Sequence, residues 1–227
     1  MLNSLKPRIA KPRVAKPRPT LGWKAYVSPA NIKLGNIPSF STPPIETCPG
    51  RTSECSGCNG SKHYCYIIKM IKLRPSIGVS YARNLDAILS DNFILPVSRY
   101  ISKNKPKMFR FSVGGDIFSS KYAEDIAKLV NMFPEVKFLA FTRSWRIKSL
   151  ADDIAKLQKL KNLQLIASMD NETEQAPLVY RRAYAGKPMH PKRKTILCPG
   201  YGPKELTCED CGLCFKSANV DIYFPIH

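Results

Sequence analysis

M-F-R-F-S-V-G-G-D (108–116), V-K-F-L-A-F-T-R (136–143) and L-Q-L-I-A-S-M-D (163–170) are three apolar runs of strand length, each ending in small or charged residues. After the first, Ser119 or Ser120 caps a helix with Tyr122, Ile126, Leu129, Val130 and Phe133 on one face, and Pro134 closes it. After the second, a helix from about Ile147 to Leu157 turns Ile147, Leu150, Ile154 and Leu157 inward. The order is β–α–β–α–β, the pattern of a parallel sheet covered by helices. The expected fold class is therefore α/β, a parallel sheet of partial or modified (β/α) barrel-like form. T-I-L-C (195–198) and V-D-I-Y-F (220–224) read as short additional strands.

In such sheets ligands bind beyond the carboxyl ends of the strands. The residues delivered there are Gly114, Gly115 and Asp116, then Thr142 and Arg143, then Ser168 and Asp170. Each alone is also an ordinary turn or cap residue, but three aligned sets point to a shared cleft. These seven are the candidate cofactor-binding residues. Arg143 suits a carboxylate or phosphate, Asp116 an amine, and Asp170 a base or a cation.

Upstream, helices are expected at 65–73 and at 81–95, the second with Leu85, Ile88 and Leu89 inward. Residues 21–47 place Trp23, Tyr26 and Phe40 between Pro29, Pro38, Pro43 and Pro44, and read as an irregular wrap. Residues 1–22 read as a separate arm and 23–227 as one α/β domain. The arm holds three tandem repeats, K-P-R-I-A, K-P-R-V-A and K-P-R-P-T (6–20). Its prolines favour an extended polyproline II path. Lys6, Arg8, Lys11, Arg13, Lys16 and Arg18 can neutralise phosphates along that path without reading bases. An acidic protein surface is the other partner such an arm suits, and a solubilising tail is the plainest role.

The eight cysteines sort four and four. Cys48, Cys55, Cys58 and Cys65 have the spacing C-x₆-C-x₂-C-x₆-C, with His63 beside them as a substitute ligand. Cys198 precedes the tight run Cys208, Cys211 and Cys214. The start of the chain has charge but no following apolar core, so no secretory leader is expected, and no stretch approaches the ~18 apolar residues of a membrane span. Clustered cysteines in a reducing compartment bind metal or do redox chemistry, and a disulfide scaffold is the rival reading. Zinc prefers two C-x₂-C knuckles, whereas the tight triple resembles a ferredoxin ligand run. The expectation is a 4Fe–4S cluster at 198–214, with zinc as the alternative, and a second 4Fe–4S cluster or zinc at 48–65. The formal net charge is +19, and two four-thiolate clusters of charge −2 leave about +15. That excess favours nucleic acid or another polyanion as partner.

Several segments resemble the gene product 88 family of phage and plasmid proteins. They are I-P-S-F-S-T-P-P-I-E-T-C-P-G (37–50) with the following C-x₂-C and C-Y, F-R-F-S-V-G-G-D (109–116), F-T-R (141–143), A-S-M-D (167–170), and the terminal C-G-L-C and F-P-I-H. The likeness covers most of residues 33–227. It implies a mobile-element origin more than an activity. A cytoplasmic place in the host cell is expected from the absent leader and span, and a phage or host assembly is the partner that the binding-module reading implies. The chain also resembles radical S-adenosylmethionine enzymes, in which a cluster loop precedes a helix and a glycine-rich segment ends the next strand. V-G-G-D (113–116) matches that segment, and the resemblance implies S-adenosylmethionine as cofactor with Asp116 at its amine. The family's C-x₃-C-x₂-C loop is absent here. Three classes of function stay open: an iron–sulfur protein acting on or near nucleic acid, a radical enzyme, and a binding module for a protein partner.

Overall fold

A computed structural model describes residues 22–57, 64–177 and 179–226. In chain order its strands are β1 (Ser39–Phe40), β2 (Met108–Phe111), β3 (Lys137–Thr142), β4 (Leu163–Met169), β5 (Arg181–Ala185), β6 (Thr195–Leu197) and β7 (Asp221–Phe224). The helices are α1 (Ser53–Ser56), α2 (Tyr66–Leu73), α3 (Pro75–Leu89), α4 (Ile94–Asn104), α5 (Ser120–Met132), α6 (Ala151–Gln158) and α7 (Cys208–Cys211). All seven strands pair in parallel, in the order β1-β2-β3-β4-β5-β7-β6. β1 and β6 are left as edges, so the sheet is an open, partial barrel and does not close.

Side-chain alternation gives this sheet two covered faces. Phe109, Phe111 and Phe138 point to one side, with ring centroids 5.1–5.9 Å apart. There they pack under α4, α5 and α6 with Ile126, Leu129 and Ile154. Leu139, Ile166, Ala183 and Ile222 point to the other side, against Leu34, Ile37 and Phe215. Among the described residues no layer like that of α4, α5 and α6 covers this second face. It is closed by the 33–37 segment and by the cysteine-bearing turns after β6.

The expected strands and α5 stand where the periodicity put them, and the Ser119 hydroxyl caps α5 by accepting from the Tyr122 amide at 3.2 Å. Several boundaries differ. β2 ends at Phe111, because Ser112 takes a positive φ of 55° and turns the chain. The expected helix at 81–95 is two helices broken at 90–93, where Asp91 has φ 59°. Leu89 lies at that break and is 50% exposed, so it does not face inward. Two 3-10 turns, Ser144–Arg146 and Lys148–Leu150, lead into α6. β1 and β5 were not expected. β5 tolerates its two arginines because both are used. Arg181 donates to the carbonyls of Val220, Leu213 and Lys216, and Arg182 to that of Ala176. No helix among the described residues is long and apolar enough to cross a membrane.

Candidate metal centres

The first cysteine group is built on the strand ends. Residues 41–57 lie across the carboxyl ends of β2 to β4 and are fixed there by backbone bonds. The Thr42 amide donates to the Gly114 carbonyl at 3.0 Å, and the Asp116 amide to that of Thr47 at 3.0 Å. Gly50 rests directly on the Arg143 carbonyl, where a Cβ would collide. Thr52 caps α1 and donates to Asp170 Oδ2 at 2.5 Å. The Glu172 carboxylate accepts from the Ser53 amide at 2.8 Å and the Glu54 amide at 3.2 Å. The turn after β4 therefore clasps the start of the cysteine loop.

Cys48, Cys55 and Cys65 meet above this platform. A hydrogen bond between Cys55 and Cys65 holds the Cys65 thiol down to about 7 and raises that of Cys55. Burial, with the charge of Asp116 behind it, pushes Cys48 up to about 12. Without a cation, Cys48 and Cys55 stay protonated at neutral pH. Cys58, the fourth member, and His63 lie outside the described residues.

Beneath the thiols sits a buried polar cluster. Arg143 Nη2 pairs with Asp170 Oδ2 at 3.2 Å and donates to the Tyr64 hydroxyl. That hydroxyl donates to Asp170 at 2.6 Å. Burial works against the Arg143 charge, but Tyr64, Cys55 and Asp170 outweigh it and raise its pKa. The guanidinium thus reaches from the carboxylate to the Cys55 sulfur. Burial raises the Asp116 carboxyl, opposed by hydrogen bonds from Thr142, Arg143 and Ile117. Asp116 accepts from the Ile117 amide at 2.7 Å and the Arg143 amide at 2.8 Å, and is 5% exposed.

Six of the seven strand-end residues are thereby placed in or under one loop platform. Gly114 gives room for the Tyr81 ring and Ile67, Gly115 gives room for Thr42 and Thr47 of the cysteine loop, Thr142 and Asp116 tie β2 to the turn after β3, and Arg143 and Asp170 pair. Ser168 stands apart: its carbonyl accepts from the Trp145 indole at 3.5 Å. Thr52, Tyr64 and Glu172 were not foreseen. Thr52 had a signal, the T-S-E-C cap pattern. Tyr64 and Glu172 had none, since their roles depend on contacts over 100 residues away.

The second group gathers on the sheet's second face, opposite α4, α5 and α6. Cys198, Cys208, Cys211 and Cys214 line one small cavity with Lys33, Leu213 and Ile222. They arrive on separate pieces. Cys198 follows β6 and is fixed by its amide donating to the Tyr223 carbonyl at 2.9 Å. Cys208 and Cys211 stand on α7, whose capping box joins Thr207 and Asp210. Cys214 lies in the 3-10 turn Leu213–Phe215. Glu209 accepts from the amide and side chain of Asn36, at 2.8 and 3.0 Å, and so clasps α7 to the 33–36 turn. Burial raises the thiols of Cys198 and Cys208 and pushes Cys214 up to about 12. All seven described cysteines are free thiols, against a disulfide framework. No group of three or more His, Cys, Asp or Glu among the described residues is arranged to hold a metal ion as it stands. Lys6, Arg8, Lys11, Arg13, Lys16 and Arg18 of the arm lie outside the described residues.

Residues 11–217 match a family model described as Gene product 88. "Gene 88 protein" of Mycobacterium phage D29 is 32% identical over 163 residues, covering 66% of this chain and 61% of that protein. "Gene 88 protein" of Mycobacterium phage L5 is 30% identical over 163 residues, 66% of this chain and 62% of that one. The match thus spans about three fifths of each relative's length. No solved structure matches the chain.

Proposed function

This chain belongs to the gene product 88 family, and from that membership and the grouping of its thiols we propose that it is an iron–sulfur-binding phage protein acting on or near nucleic acid. The observation that carries the reading is the convergence of Cys198, Cys208, Cys211 and Cys214, from three separate turns, on one cavity. In a cubane each thiolate reaches a different iron, so the sulfurs stand farther apart than around a single ion. Four thiols set around one cavity suit that requirement. These four residues would hold a 4Fe–4S cluster, and Cys48, Cys55, Cys58 and Cys65 a second cluster or a zinc ion. Such a cluster supplies one-electron chemistry and a covalent staple between turns. The protein's own contribution is to bury the thiols and to place Arg143 at Cys55, and Lys33 and Arg110 near Cys198 and Cys208. An S-adenosylmethionine reaction is not part of this proposal, because Asp116 is buried and already accepts two backbone amides.

Anaerobic purification with iron, sulfide and zinc analysis tests the reading. The expected result is about four irons and four sulfides per chain for one cluster, or about eight of each for two. Cys211→Ser should remove about four irons. Colourless protein containing zinc alone would overturn the iron–sulfur assignment.

The nucleic-acid half rests on the +19 charge and the basic arm. Removing residues 1–22 should weaken duplex DNA binding and flatten its dependence on log salt concentration by about 5, since each phosphate neutralised contributes about 0.9 to that slope. An unchanged slope, read by fluorescence anisotropy at several salt concentrations, would take the arm out of the interface.

A further inference from the structure

Between the two cysteine groups the sheet's second face carries a row of aromatic rings interleaved with cations. Phe141 of β3 meets Phe224 of β7 edge to face at 6.1 Å, and Phe224 meets Tyr201 in the same way at 6.2 Å. Arg110 of β2 lies over the Phe141 ring, 4.8 Å from its centre, and Lys33 Nζ lies 3.2 Å from that of Tyr201. Tyr66, at the start of α2, donates its hydroxyl to the Val113 carbonyl at 3.3 Å. Burial raises the pKa of that hydroxyl, and Arg110, Cys65 and Tyr201 are among the groups acting on it. Tyr66 therefore borders both the first cysteine group and this row. Tyr66 is 50% exposed and Tyr201 36%.

Neither Lys33 nor Arg110 has a carboxylate partner among the described residues, and the Arg110 Nε is buried without an acceptor. Their charges bear on Cys198 and Cys208, which accounts for a cation near the thiols but not for half-exposed rings beside it. A surface that offers aromatic rings together with cations that lack carboxylate partners suits a partner that is both flat and anionic.

We propose that this row binds single-stranded nucleic acid, with bases packed against Tyr66 and Tyr201 and phosphates drawn to Lys33 and Arg110. A duplex does not satisfy it, because paired bases turn only their edges outward and cannot stack on a protein ring. The inference rests on the nucleic-acid reading above and sharpens it: the arm tracks phosphate, whereas the sheet face takes unstacked bases.

The test uses the metal-loaded protein without residues 1–22, so that the arm's charge is removed. Its affinity is read by anisotropy for oligothymidine of about 12 nucleotides, for an abasic strand of the same length and for the duplex. Oligothymidine should bind at least about 10-fold more tightly than the abasic strand or the duplex. The Tyr66→Ala, Tyr201→Ala double variant should lose about 10-fold for oligothymidine and nothing for the abasic strand. Tyr26→Ala, at another half-exposed tyrosine, should leave both unchanged. Equal affinity for oligothymidine and abasic strand overturns the proposal, and that comparison needs no variant to fold. Full-length protein that binds through its arm alone defeats this row and leaves the earlier reading standing. Full-length protein that binds no strand defeats both, and iron content is measured on the same samples.

Discussion

Gly115→Ala lowers the melting temperature by about 10 °C, a loss of about 3–4 kcal/mol. Two separate causes combine. Gly115 has φ +76°, a left-handed backbone that costs a residue with a Cβ about 1–2 kcal/mol. The added Cβ would also strike the hydroxyls of Thr42 and Thr47 and approach the Thr42 carbonyl at 2.9 Å. Those atoms cannot retreat freely, since the two hydroxyls bond each other at 2.8 Å and Thr47 also bonds the Pro43 carbonyl at 2.6 Å. Overpacking of this kind costs about 1–3 kcal/mol. Gly22→Ala separates the two causes. Its φ is +64°, yet among the described residues its Cβ would meet only Asn92 at 4.0 Å. That variant should lose about 1 kcal/mol. Equal shifts for both variants would show that the threonine contact is unimportant. Because Thr42 and Thr47 begin the loop that carries Cys48, Gly115→Ala should also reduce whatever metal the first group binds under the proposed function, read as metal content per chain.

Asp170→Ala costs about 3–5 kcal/mol, the range for leaving a buried charge without its partner. The Asp170 side chain is fully buried and that of Arg143 is 9% exposed. Thr52, Tyr64 and Arg143 all converge on Asp170 Oδ2. Removing the carboxylate strands a guanidinium and two hydroxyls together. Arg143→Met should cost a similar amount by stranding the carboxylate. The double variant should lose clearly less than the two singles combined, because no unpaired charge remains. Thermal melts of the four proteins close the cycle. Additive losses would mean that Arg143 and Asp170 are not coupled.

How far the sequence carried the fold follows from how each element is stabilised. β3 and β4 are apolar runs of six and seven residues buried over most of their length, and β2 alternates buried Phe109 and Phe111 with half-buried Met108 and Arg110, so local pattern marks all three. β1 is two residues long, too short for any alternation to register. β5 reads R-R-A-Y-A, and its arginines are buried only because carbonyls from other segments receive them. No local window contains that information. The strand-end residues were legible as a group, since three strands deliver them at matching positions. Their partners were not, because Thr52, Tyr64 and Glu172 reach them across loops. The grouping of cysteines was equally plain. That the second group lies on a sheet face, and not beside the first at an edge, depends on β7 pairing with both β5 and β6.

That pairing sets an order of assembly during synthesis. β6 leaves the ribosome before β7, yet among the described residues β7 is its sole strand neighbour and stands between it and β5. β6 therefore has no place in the sheet until residues 221–224 emerge. Cys198, tethered through its amide to Tyr223, waits with it. Cys48, by contrast, needs only the turns after β2, β3 and β4, all made earlier. The first cysteine group can form on a nascent chain, while the second stays open to oxidants and to premature metal capture until the last strand slots in.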